Sequence, residues 1–270
     1  MISKLARLMP YVIALTMLHG APAQAAQCGN NAGGFDTWKR QFAAEAKAKG
    51  IGTKGLKALA ATRYATKTIA ADRSQKSFNY SLDKFMKVRG AATIISQGRR
   101  RKAANERFFT AIEREYGVPA GPLLAIHGME TGFGRFMGNA NVVSAIATLA
   151  YDCRRSDFFT EHLNAALKLV DRGVISAGTK GAMHGEIGHT QFLPANVLKY
   201  AVDGDGNRRI DLAGSQWDAL ASTANFLSAH GWRRGAGYQP GQPNFRAIQG
   251  WNAAGVYQKA IAIMAAEIDK

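Results

Sequence analysis

AIHGMETGFGRFMG, residues 125–138, is an apolar segment that ends in a carboxylate and runs straight into a turn of glycines and phenylalanines. Pro119 and Pro122 set the start of a short helix, GPLLAIHGME, whose Leu123, Leu124 and Ile126 need burial. Glu130 therefore stands where that helix leaves the core, with Met129, Phe133 and Phe136 near it in sequence and little able to hydrate a charge. Desolvation penalises the ionised form, so a carboxyl in such a place keeps its proton to higher pH. A carboxylic acid protonated near neutrality can donate to a leaving oxygen, which is the acid's part in breaking a glycosidic bond. Gly132 and Gly134 would let an extended substrate approach the turn with no Cβ in the way. On this stretch alone, a solvated glutamate on a final helical turn explains the pattern at least as well.

A second stretch changes that balance. KGAMHGEIGHTQFLPANVLKYAVD, residues 180–203, gathers glycines, two histidines, a glutamate and a glutamine before Phe192, Leu193 and Pro194. Glycines at 181, 185 and 188 suit a backbone that lines a cleft. His189, Thr190 and Gln191 can hydrogen-bond to hydroxyl or acetamido groups, and Phe192 can stack or pack. A plain polar loop needs no such combination.

Around these stretches the helical period dominates. TWKRQFAAEAKAKG puts Trp38, Phe42 and Ala46 on one face and stops at Gly50, and Thr53 can cap the next helix. A helix led by basic residues from Arg99 closes at Gly117 and Pro119. NVVSAIATLAY and SDFFTEHLNAALKLVDRG read as a helix pair, the second capped by Ser156. Ser215 and Asp218 form a capping-box-like pair before a helix that closes at Gly231, and a last helix runs through AAGVYQKAIAIMAAEI. The expectation is one mostly α body of eight or nine helices with glycine-rich connections. Residues 60–100 are poorly periodic and read as a surface arm or partial subdomain.

Of 270 residues, 47% are hydrophobic and 20% charged, which fits a folded chain. Lys4 and Arg7, then an apolar run to Leu18 and small residues ending in Ala23 and Ala25, give residues 1–25 the order of a cleavable signal peptide. The apolar run is short for a membrane span, and an uncleaved anchor is the alternative. In an oxidising compartment the two cysteines, Cys28 and Cys153, could form one bridge. Two unrelated thiols are the other reading, and the export signal favours the bridge. The net charge of +16 falls to +14 without Lys4 and Arg7. For an exported protein that surface suits an anionic envelope polymer better than nucleic acid.

The motifs GMETGFGRFMGNANVVSAIATLAYDCRR, GHTQFLP, YAVDGDG, SAHGWRRG and GWNAAGVY, in this order, resemble the membrane-bound lytic transglycosylase B-like family of murein lytic transglycosylases, glycoside hydrolase family 103. The likeness runs from about Phe35 to the C-terminus. It implies a lysozyme-like helical catalytic domain over residues 26–270 with glycine-rich cleft loops and an N-terminal helical extension. It also implies cleavage of the MurNAc–GlcNAc β-1,4 bond of peptidoglycan in the periplasm, leaving 1,6-anhydromuramoyl ends. Glu130 then matches the single catalytic acid and base. Gln191, Asn252, Tyr257 and Tyr151 match cleft positions, with His189 and Phe192 beside them.

The chain departs from the family pattern at Ala182, where a serine is usual, and at Glu186, where a small residue is usual. A second carboxylate near the cleft could turn the chemistry toward a hydrolytic muramidase, bind a substrate amine, orient Gln191, or form a salt bridge. The partners implied are glycan strands and other envelope proteins, with a monomer expected. The non-catalytic alternative is a peptidoglycan-binding envelope protein. No cofactor is implied. DGDGNRRID sets Asp203, Asp205, Asn207 and Asp211 at calcium-loop spacing, but Arg208 replaces the turn glycine and Gly214 the closing glutamate. A turn held by Asx contacts and local salt bridges is therefore expected in place of bound calcium.

Overall fold

Alternating apolar faces at helical spacing become thirteen α-helices in the computed structural model, which describes residues 26–74 and 79–270. The export segment expected at 1–25 lies outside the described residues. In chain order the helices are α1 (Phe35–Ala48), α2 (Thr53–Ala60), α3 (Thr66–Arg73), α4 (Leu82–Val88), α5 (Ala91–Ala104), α6 (Glu106–Tyr116) and α7 (Ala120–Thr131). After strand β1 (Ala140–Asn141) come α8 (Val142–Tyr151) and α9 (Ser156–Asp171). After strand β2 (Lys180–Gly181) come α10 (Pro194–Tyr200), α11 (Gln216–Ala229), α12 (Phe245–Trp251) and α13 (Gly255–Asp269).

Helix α7 has no polar stripe and is buried on all sides from Ala120 to Met129. It packs chiefly along α13, with α5 and α11 beside it. Gly121 permits that closeness: a Cβ there would collide with the Ala265 carbonyl, and its N–H donates to Asp269 Oδ1 at 2.8 Å. A second core joins α1, α2, α8 and α9 through Phe35, Trp38, Tyr151 and Leu163. The Cys28–Cys153 disulfide ties the start of the described chain to the α8–α9 turn, and the Gly29 N–H donates to the Tyr151 carbonyl at 2.9 Å beside it.

Three local expectations are corrected. The described residues within 60–100 form no surface arm: they hold α3, α4 and most of α5, and Phe85 is fully buried in the main core. α3 and α4, of 8 and 7 residues, are too short for a clear period. The basic run from Arg99 belongs to the end of α5, and Asn105 separates it from α6, so one expected helix is two. Ser156 donates its hydroxyl to the Ala150 carbonyl at 2.6 Å and caps nothing. Ser215 does cap α11, accepting the Asp218 N–H at 3.2 Å, but the Asp218 carboxylate turns elsewhere.

The short β1–β2 ribbon decides the site. Ala140 pairs with Gly181 and Asn141 with Lys180. This pairing draws the turn after Glu130 against the loop that carries Glu186, His189 and Gln191.

Candidate active site

Glu130 is the next-to-last residue of α7, and Gly132, in the left-handed region at φ 57°, ends the helix. The Tyr257 hydroxyl, from α13, donates to Glu130 Oε1 at 2.5 Å, and the Trp251 indole N–H, from the end of α12, donates to the same oxygen at 3.1 Å. Burial pushes the Glu130 carboxyl up to about 7. The donors Tyr257 and Trp251 oppose that rise, the charge of Glu186 adds to it, and Arg89 opposes it. Burial and the adjacent carboxylate hold the Tyr257 phenol far above its ordinary range, so it remains a donor.

The neighbouring loop is locked to α7. The Thr131 hydroxyl donates to the His189 carbonyl at 2.6 Å and accepts the Gly134 N–H at 2.9 Å. His127 Nε2 and His189 Nδ1 lie 3.0 Å apart, and burial keeps both imidazoles toward their neutral forms. Ile187 and Phe192 exchange main-chain hydrogen bonds of 2.8 and 3.0 Å. Between them Gln191 sits at φ 56°, its amide donating to the Gly188 carbonyl at 2.7 Å and reaching the Met137 carbonyl at 3.5 Å. That strained backbone points to a residue held for its side chain.

Glu130, Tyr257, Glu186, His189 and Gln191 thus belong to one neighbourhood. Asn252 follows Trp251, and its side chain accepts the Ala254 N–H at 2.9 Å at the start of α13. Two expected contacts are corrected. Tyr151 is 4% exposed in the second core, its hydroxyl wedged against Gly29 and Gly34, so it cannot meet a substrate at Glu130. Phe192, 1% exposed, packs edge-on against Trp251 with ring centroids 5.2 Å apart; it positions that indole and offers no sugar platform. Gly134 serves packing as well, since a Cβ there would collide with the His189 ring. The contact absent from the sequence reading is the Trp251 indole N–H on Glu130, and its place directly before Asn252 in GWNAAGVY is the one local signal for it. Arg89 gave no signal at all.

In the calcium-like loop, Asp203 accepts the N–H groups of Gly206, Asn207 and Arg208, Asn207 accepts that of Arg209, and Asp211 those of Ala213 and Gly214. These are the Asx contacts expected of a structural turn. Among the described residues the carboxylates that converge are Asp203, Asp205 and the buried Asp218, with one oxygen of each within 4.8 Å of the others, so Asp211 is not among them. Both Asp218 oxygens already accept main-chain N–H groups, from Gly204 at 2.8 Å and Asp211 at 2.8 Å.

Comparison with known proteins agrees with this architecture. The chain is 37% identical over 141 residues to the membrane-bound lytic murein transglycosylase B of Escherichia coli K12, a match covering 48% of this chain and 38% of that protein. The match spans well under half the length of that relative. The structure of SltB3 from Pseudomonas aeruginosa in complex with NAG-NAM-pentapeptide superimposes with a TM-score of 0.80 at 30% identity, covering 87% of this chain and 79% of that one. The Escherichia coli lytic transglycosylase Slt35, solved in complex with calcium, gives 0.76 at 22% identity over 93% of this chain and 98% of that one, a likeness of fold alone. The mostly α, lysozyme-like class expected from the sequence is the class observed. Residues 34–242 match the Transglycosylase SLT domain, and the chain belongs to that family.

Proposed function

We propose that this protein is a lytic murein transglycosylase that cleaves the MurNAc–GlcNAc β-1,4 bond of peptidoglycan without water, leaving a 1,6-anhydromuramoyl end. The single observation that carries this reading is a half-buried glutamate at the end of α7 whose Oε1 is held by two fixed donors, with burial raising its carboxyl. Both donors hold Oε1, which leaves Oε2 to bear the proton and face the substrate. Glu130 gives that proton to the glycosidic oxygen as the bond to C1 breaks, and GlcNAc leaves with a hydroxyl. The new carboxylate is stabilised by Tyr257 and Trp251. It then takes the proton of the C6 hydroxyl as O6 closes onto C1, so one residue acts as acid and then as base. An ordinary glycosidase needs a second carboxyl to attack or to activate water; this sequence of steps needs neither.

His189, Gln191 and Asn252 are assigned to the glycan, with Glu186 treated below. The likeness to SltB3, solved with a NAG-NAM-pentapeptide, supports a glycan substrate. The reading extends to residues 1–25 as a signal peptide, residues 26–270 as the catalytic domain, and work in the periplasm as a monomer on anionic wall polymer. Among the described residues no helix is long and apolar enough to cross a membrane. Purified murein digested with the mature protein and with Glu130→Gln, followed by mass spectrometry of the products, tests the reading. Anhydro ends lost in the variant support it. Reducing ends would make the protein a hydrolytic muramidase, and no release from either protein would make it a binding protein.

A further inference from the structure

The loop beside Glu130 holds a carboxylate that the steps above do not use. Glu186 is fixed through its main chain, since its carbonyl accepts the Ala182 N–H at 3.0 Å and the next residue, Ile187, is bonded to Phe192. The Phe192 ring lies against Trp251, whose indole N–H is on Glu130. The carboxylate is fixed as well: the His184 N–H donates to Oε2 at 3.0 Å, and His184 Nδ1 lies 3.2 Å from Oε1. Behind the imidazole stands buried Asp72 of α3, with Oδ1 3.9 Å from Nε2 and itself clasped by Arg154 and Arg155. Asp72 thus has its own cations, and the Glu186 side chain stays 23% exposed with His184 at its back.

Resting on the lytic reading, we propose that Glu186, oriented by His184, is a positioning residue that acts through Glu130: its fixed negative charge holds the proton on Glu130 until cleavage. A second anion nearby disfavours ionisation of the first. The charge of Glu186 adds to the rise of the Glu130 carboxyl, whereas Arg89 from α4 and the donors Tyr257 and Trp251 work against it. Arg155, from the α8–α9 turn, also feels the charge of Glu186, although burial is the larger influence on it. Glu186 touches neither the glycosidic oxygen nor the C6 hydroxyl in this scheme, so no proton passes through it.

The sign follows directly. Without the Glu186 charge, Glu130 gives up its proton at lower pH, and the alkaline limb of the rate profile moves the same way. The test compares wild type, Glu186→Gln and His184→Gln as full mature chains. Infrared titration follows the Glu130 carboxyl band, identified by its loss in Glu130→Gln, and pH–rate profiles are taken on purified murein. In Glu186→Gln the Glu130 midpoint and the alkaline limb both fall to lower pH with KM within about twofold, and His184→Gln shifts them less in the same direction. A Glu130 midpoint that does not move in folded Glu186→Gln overturns the proposal. So does an unmoved limb with a raised KM, which would make Glu186 a substrate contact. If wild type releases nothing from murein, the functional reading fails, and the infrared titration still decides the coupling. If Glu186→Gln does not fold, His184→Gln decides it.

Discussion

Replacing Glu130 by glutamine should make the protein more stable in alkali while abolishing its activity. The side chain keeps its shape, and its carbonyl oxygen still accepts from Tyr257 and Trp251, but it can no longer ionise. In the wild type the folded carboxyl titrates at about 7, against 4.5 for the exposed group. A gap of that size, at about 1.4 kcal/mol per pH unit, corresponds to about 3 kcal/mol of differential stability. The sign is that of a raised folded value: the stability supplied by the bound proton is fully present below 4.5 and is lost as the pH rises through 7. Urea unfolding of wild type and Glu130→Gln, followed by far-ultraviolet circular dichroism from acid to alkali, measures it. Whatever constant difference glutamine introduces cancels in the comparison across pH. The variant should gain about 3 kcal/mol on wild type between those limits. Stability curves that run parallel across this range would refute the burial argument for Glu130.

Other perturbations follow from the same contacts. Tyr257→Phe removes a donor that favours the Glu130 carboxylate, so the alkaline limb should move to higher pH, and the lost charge-assisted bond should slow turnover by about tenfold to a hundredfold. Pairwise replacement of Cys28 and Cys153 by serine opens a loop of 125 residues; chain entropy sets the cost at about 4–5 kcal/mol, read as a drop in Tm of about 10–15 °C. Asp218→Ala strips the acceptors from the Gly204 and Asp211 N–H groups in a fully buried place, and should cost about 3 kcal/mol in urea unfolding. Hydrogen exchange should then rise first across residues 203–211.

The helical class was legible because buried faces repeat: Trp38, Phe42 and Ala46 fall on one side of α1 as their spacing requires. Glu130 stood out because an apolar helix ends in its carboxylate, but that helix alone suited a solvated glutamate as well, and the glycine-rich stretch at 180–203 and the family motifs were needed to single it out. What stayed hidden depends on contacts between distant residues. Trp251 and Tyr257 meet Glu130 from 121 and 127 residues away, and nothing local separates an indole that packs from one that also donates. Tyr151 misled for the converse reason. Its aromatic neighbours in space, Phe35 and Trp38 of α1 and Tyr64 of the α2–α3 connection, come from the start of the described chain, so a residue close to the motif in sequence belongs to another core. Residues 60–100 hid their helices because each turn buries only one or two side chains, as α4 buries Phe85 alone. The glycines of the cleft loops were read for substrate access, whereas Gly134 and Gly188 lie where a side chain would strike His189 or Leu212.

In a lytic cleavage Glu130 recovers its proton from the substrate's own C6 hydroxyl and not from water. Digesting purified murein with the wild-type protein in water enriched in oxygen-18 measures that directly, by mass spectrometry of the muramoyl ends. Unlabelled anhydro ends, about 18 Da lighter than the hydrated product, are the predicted result, because no water enters the bond. Reducing ends carrying oxygen-18 at C1 would contradict it and place a water molecule in the step.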